Sequence, residues 1–122
     1  MLFRSISIDK ANPKDFDGVI IPGGFAPDIL RRYAKIVEFV KKLHDDGKVV
    51  AAICHGGWLL VSAGILKGRK ATCFFAIKDD LVAAGAKYSD QEVIVDKNLI
   101  TSRKPEDLPR FTQEIIRALK KQ

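Results

Sequence analysis

The sequence predicts an α/β domain with a largely parallel sheet, and three observations carry that expectation. Two short, continuous apolar runs, GVIIP (18–22) and KVVAAI (48–53), each lead into glycines, as buried parallel strands do where they leave a sheet. Between them, residues 27–46 carry Ile29, Tyr33, Ile36, Val37 and Val40 at helical spacing, with Gly47 as the stop. A chain of 122 residues is one domain's length and buries roughly two-thirds of its extended surface, enough for a real core.

The elements follow in order. LFRSISI alternates apolar and polar residues as a half-exposed strand does, and DKANPKDFD makes a polar, proline-marked connection to GVIIP. The helix over 27–46 leads to KVVAAI, then to a short helix near 57–66 closed by Gly64 or Gly68. KATCFF reads as a third strand, and IKDDLVAAG as a short helix ending at Gly85. EVIVD and LITSR, joined by Lys97-Asn98, are spaced as a β-hairpin. The closing PEDLPRFTQEIIRALKKQ sets Pro105 at a helix start, acids in the first turn and lysines in the last, which suits the helix dipole.

Composition narrows the function. With 47% hydrophobic and 30% charged residues, no apolar stretch near the ~20 residues of a membrane span and no signal-peptide pattern, a soluble cytoplasmic domain is expected. Two cysteines are too few for a disulfide framework, and their spacing fits no zinc motif, so neither metal nor cofactor is expected. The net charge of +6 is spread over RR, KK and KGRK segments interleaved with acids. Those are solvated faces, so no nucleic-acid or membrane partner is expected.

The second apolar run ends in AICHGG (52–57) and passes at once into helix-like text, WLLVSAGIL. Ligands of parallel α/β sheets sit beyond the carboxyl ends of the strands. A strand, a sharp turn and a helix in that order make a nucleophile elbow, which presents one strained side chain. Here that side chain is Cys54, with His55 beside it, while Gly56 and Gly57 keep the turn uncrowded. The thiolate is the reactive form of cysteine. Lowering a thiol pKa by three units takes about 4 kcal/mol, and a helix end supplies about 0.5–2 kcal/mol of it. An elbow of this kind needs His55, further N–H donors or an acid sharing the proton.

Each candidate has a plainer alternative. Cysteine is among the most buried residue types, and Cys73 in KATCFF reads as a packed structural thiol; the flanks of Cys54 favour chemistry there. Gly23 and Gly24 form either a simple turn or an oxyanion site whose N–H groups face the substrate oxygen that becomes charged. Beside a thiol elbow the oxyanion reading is the stronger. His44, near a helix C-terminus where a cation is favoured, is assigned no chemistry.

DGVIIPGGFAPDIL, KVVAAICHGGWLLVSAGILKGRKAT and IKDDLVAAGAKYSDQEVIVDKNLITSRKPEDLP together resemble the PfpI-type intracellular cysteine peptidases. These belong to the Parkinsonism-associated deglycase superfamily, related in fold to class I glutamine amidotransferases. The resemblance covers nearly the whole chain and implies a flavodoxin-like three-layer sandwich. It implies Cys54 as nucleophile, His55 as its partner, and the His55 N–H joining Gly23 and Gly24 in oxyanion binding. It also implies a triad acid in the segment after PGG, contributed by a neighbouring subunit of a homo-oligomer. Asp28 holds that position, where the family more usually has Glu, and an acid in a helix's first turn is equally good capping chemistry.

Family members usually begin with a strand, a helix and a strand that supply the sheet's central strand and a Glu touching the cysteine sulfur. This sequence starts after that region, so a single domain over 1–122, incomplete at its N-terminus, is expected, with exposed parallel edges that favour association. Relatives often carry Pro and a polar residue where this chain has Gly57-Trp58; Trp58 reads as pocket wall, oligomer contact or, on base rates, core.

Three functions stay open. The leading one is a Cys54 hydrolase acting on peptide bonds or on α-oxoaldehydes such as methylglyoxal and their protein adducts. The second is a redox or stress-response protein in which Cys54 is oxidised to sulfenic or sulfinic acid. The third is an inactive truncated remnant.

Overall fold

The computed structural model describes residues 5–122. In chain order its elements are β1 (Gly18–Ile21), α1 (Ala26–Leu30), α2 (Ala34–Asp45), β2 (Val49–Ile53), α3 (Gly57–Ala63) and β3 (Lys70–Ala71). Then follow α4 (Lys78–Ala83), β4 (Lys87–Tyr88), β5 (Val93–Asp96), β6 (Leu99–Ser102) and α5 (Leu108–Lys120).

The main sheet runs β1-β2-β6-β5, with β1, β2 and β6 parallel and β5 antiparallel to β6. Every residue of β2 is buried because both faces of the sheet are covered. Val50 and Ala52 point into a core with Val40 and Leu43 of α2, Leu59 and Leu60 of α3 and Leu81 of α4. Val49, Ala51 and Ile53 point the other way, onto Ile100 of β6 and Phe111 and Ile115 of α5. The two-residue period of the strand thus feeds two cores, which gives the expected three-layer α/β/α sandwich. Among the described residues no helix is long and apolar enough to cross a membrane.

The hairpin forms as expected, with Lys97 at φ 56° in its two-residue turn. The Asn98 side-chain amide donates to the Lys48 and His44 carbonyls at 2.8 and 3.3 Å, tying the turn to the entrance of β2. The His44 Nε2 lies 2.7 Å from Arg69 Nη1, and since a guanidinium nitrogen only donates, the imidazole nitrogen accepts there. At the far end of β6 the Arg103 guanidinium and N–H grip the buried Asp107 carboxylate at 2.9–3.0 Å, fixing the corner into α5.

Three expectations are corrected. Residues 2–4 of LFRSISI lie outside the described residues; Ser5–Ser7 are not in a strand, and Ile8–Lys10 form a 3₁₀ turn capped by Ser7. The helix expected over 27–46 is two helices. The chain breaks at Arg31–Tyr33, with Tyr33 in extended backbone, so that α1 lies on α3 and the elbow while α2 covers β2. In KATCFF only Lys70 and Ala71 pair as a strand, with β4, because the Thr72 N–H is taken at 2.9 Å by the Thr101 side chain instead of a ladder carbonyl. An exposed parallel edge is present as expected: it is β1, where Ile20 is 59% exposed beside an apolar groove of about 480 Å³.

Candidate functional site

The carboxyl ends of β1, β2 and β6 meet at one rim, since Ile21 pairs with Ala52 and Ile53 with Ser102. Pro22–Gly24 and Cys54–Gly57 therefore leave the sheet side by side. Ile53 is still extended, Cys54 turns to φ 61°, and a 3₁₀ turn over Cys54–Gly56 feeds α3. A left-handed conformation costs a non-glycine residue about 1–2 kcal/mol. Strain of this kind persists only where the surroundings enforce it.

Those surroundings are specific. The Cys54 carbonyl accepts the Phe74 N–H at 3.3 Å. A Cβ on Gly56 would stand 2.9 Å from the Ile21 carbonyl oxygen and 3.0 Å from that of Pro22, so only glycine lets the elbow pass under the end of β1. A Cβ on Gly23 would stand 2.8 Å from the Cys54 Cβ.

The half-buried Cys54 presents its sulfur 3.3 Å from Nδ1 of His55. The imidazole stacks on Phe74 (centroids 5.2 Å apart, planes at 27°) and meets Trp58 edge to face (5.2 Å, 69°). Trp58 is itself held: its indole N–H donates to Asp80 at 2.8 Å, and the Arg31 guanidinium lies 5.4 Å from its ring centre. Among the described residues the Gly23 and Gly24 N–H groups have no acceptor. The His55 N–H sits in a first helical turn, where backbone donors lack intrahelical partners. The rim thus sets a thiol, an imidazole and backbone N–H groups without acceptors among the described residues side by side.

The fold thus brings together Cys54, His55, Gly23 and Gly24. Asp28 is elsewhere engaged: its carboxylate accepts from Arg32 Nε at 3.1 Å, and no hydrogen bond joins it to His55 among the described residues. Nor does its side chain cap α1. Cys73 is buried, and burial pushes its thiol up to about 12, with the charges of Cys54 and Asp80 adding, so it stays an inert packing residue. Among the described residues no group of three or more His, Cys, Asp or Glu is placed to hold a metal ion.

Sequence reasoning missed Phe74, which it placed in a strand; Trp58 packs against the core as favoured, and also meets the His55 ring. The signal for Trp58 was its spacing: His55 and Trp58 are i and i+3, neighbours on one helical face.

The chain is 45% identical over 115 residues to Deglycase PfpI of Pyrococcus furiosus, covering 94% of this chain and 69% of that one. It is 44% identical over 121 residues to YraA of Bacillus subtilis, provisionally named a cysteine protease, covering 96% and 72%. A solved two-domain protein of Anabaena variabilis, with DJ-1/ThiJ/PfpI-like and ferritin-like domains, superposes with a TM-score of 0.90 at 47% identity. The superposition covers 92% of this chain and 32% of that protein, so the chain corresponds to only part of it. The model of the DJ-1/PfpI family matches residues 2–118, and with the flavodoxin-like sandwich and the cysteine elbow this chain belongs to that family.

Proposed function

We propose that the chain is a cysteine-nucleophile hydrolase, with α-oxoaldehydes and their protein adducts as its first substrate class and peptides as the second. The observation that carries this reading is the left-handed Cys54, its sulfur 3.3 Å from His55 Nδ1, beside the uncommitted N–H groups of Gly23 and Gly24. The deglycase name of the Pyrococcus furiosus relative supports the first class, and the provisional name of YraA the second.

In this reading His55 takes the sulfur proton and the thiolate adds to the aldehyde carbon. The resulting oxyanion sits on the Gly23, Gly24 and His55 N–H groups. His55 then moves a proton between the two former carbonyl carbons, and water cleaves the thioester that results. Methylglyoxal plus water becomes lactate: one carbon is oxidised and its neighbour reduced, so no external oxidant enters. A carboxylate for His55 is supplied by Asp28 of a second copy, in a homo-oligomer whose interface borders the elbow.

The test is lactate formation from methylglyoxal, run beside cleavage of a fluorogenic peptide. Turnover that vanishes in Cys54→Ser and survives in Cys73→Ala supports the reading. Turnover indifferent to Cys54, or peroxide-driven oxidation of Cys54 with no turnover of either substrate, overturns it; the latter favours a redox sensor.

A further inference from the structure

A histidine that moves a proton needs its ring plane fixed, and the usual device is a carboxylate on the second ring nitrogen. In this chain the His55 imidazole has one hydrogen-bond partner among the described residues, the Cys54 sulfur. Within one copy its plane is bounded by aromatic rings, Phe74 stacked on one side and Trp58 meeting it edge to face. Trp58 does more than fill space. Its indole N–H reaches across to the exposed Asp80 of α4, and Arg31, which covers its face, is anchored by donating from Nε to Ser62 Oγ at 3.0 Å. The ring is held from α4 and from the end of α1, and it stands one turn beyond His55 on the same helical face.

We infer that Trp58 is a positioning residue for His55: Asp80 holds the indole, the indole and Phe74 hold the imidazole, and the imidazole keeps Nδ1 on the Cys54 sulfur. The inference rests on the reading of Cys54 and His55 as the reacting pair. It assigns to an aromatic clamp the ring orientation that no carboxylate of the same copy provides, before any second copy brings its Asp28.

The experiment follows iodoacetamide alkylation of Cys54 by peptide mass spectrometry between about pH 6 and 9.5, spanning the ordinary thiol range. The proteins are the parent chain, Trp58→Ala, Trp58→Phe, Asp80→Ala, His55→Ala and the Trp58→Ala/His55→Ala double variant, with thermal unfolding recorded for each. Trp58→Ala is expected to slow alkylation at pH 7 by about tenfold, a fraction of a general base's worth. The deficit is expected to close near pH 9.5, where the sulfur loses its proton without His55. Trp58→Phe is expected to recover at least half of the lost rate, and Asp80→Ala to fall between. The double variant is expected to be no slower than His55→Ala alone, since both act through one ring.

A Trp58→Ala deficit that persists undiminished at high pH, or that adds fully to His55→Ala, overturns the inference and leaves Trp58 as structure alone. So does a folded Trp58→Ala that reacts like the parent at pH 7 while His55→Ala is slow; the hydrolase reading then stands. A parent chain whose Cys54 is unreactive at pH 7 overturns both.

Discussion

Gly23 lies directly against Cys54: a Cβ at position 23 would stand 2.8 Å from the cysteine Cβ and 3.4 Å from its sulfur. The loop after β1 and the elbow after β2 are therefore one packed unit, and the sulfur's position depends on a missing methyl group. Gly23→Ala is expected to displace the sulfur and lower the rate of lactate formation by about 100-fold, the cost of a roughly 1 Å misplacement. At Gly56 the obstacle is backbone, the Ile21 and Pro22 carbonyls, which cannot swing aside. Gly56→Ala is expected to cost about 2–3 kcal/mol in urea denaturation, at the upper end of the overpacking range.

The backbone at Cys54 is strained for the sake of its side chain. Removing the thiol while relaxing φ 61° is expected to stabilise the fold. Cys54→Gly should unfold at higher denaturant than Cys54→Ala, by about 1 kcal/mol, because glycine occupies the left-handed region freely. Both variants lack the thiol, so the comparison isolates the strain. Equal stabilities would mean that the elbow stores none.

Asp28 separates its two possible uses. Its pair with Arg32 is solvent-exposed, at 35% and 62% side-chain exposure, and such pairs contribute about 0–1 kcal/mol. Asp28→Asn is therefore expected to leave thermal stability nearly unchanged. If Asp28 serves the His55 of a second copy, the same variant loses turnover, and parent turnover per chain falls on dilution as the oligomer dissociates. Full activity in Asp28→Asn removes it from the site.

Asp107 and Asp96, outside the site, are held below the ordinary carboxylate value. Burial pushes the Asp107 carboxyl up, and the Arg103 guanidinium and N–H together outweigh burial, leaving it below the ordinary carboxylate value. The Lys70 N–H lowers Asp96 first, against burial, with Arg69 assisting. A carboxylate whose folded pKa is depressed stabilises the fold above its unfolded value of about 3.9 and loses that contribution as pH falls through the folded one. Asp107→Asn is expected to cost about 2–3 kcal/mol at pH 7. In urea titrations at pH 7 and pH 3, its stability should depend less on pH than the parent's.

Much of the scaffold was legible because its signals are local. The apolar runs of β1 and β2, the Lys97-Asn98 hairpin and the Cys54 turn between strand and glycines each lie within a few residues of sequence. The split of 27–46 was not legible, because the apolar spacing continues through Arg31–Tyr33 while Ile29 and Tyr33 in fact face solvent. KATCFF carries strand-forming residues, yet the Thr101 hydroxyl, 29 residues away, takes the donor that would have extended the ladder. The clamp on His55 depends on Phe74 and Asp80 arriving from later segments, a juxtaposition that periodicity does not contain.

The elbow is expected to make Cys54 a reactive thiol in a fold that leaves Cys73 inert. Both are tested at once by the rate of iodoacetamide alkylation at each cysteine as a function of pH. The expected result is rapid alkylation of Cys54 at about pH 6–7, below the ordinary thiol range, while Cys73, buried and pushed up to about 12, stays unmodified in the folded protein. Cys54 reacting only as an ordinary thiol does, or protected like Cys73, would contradict the account.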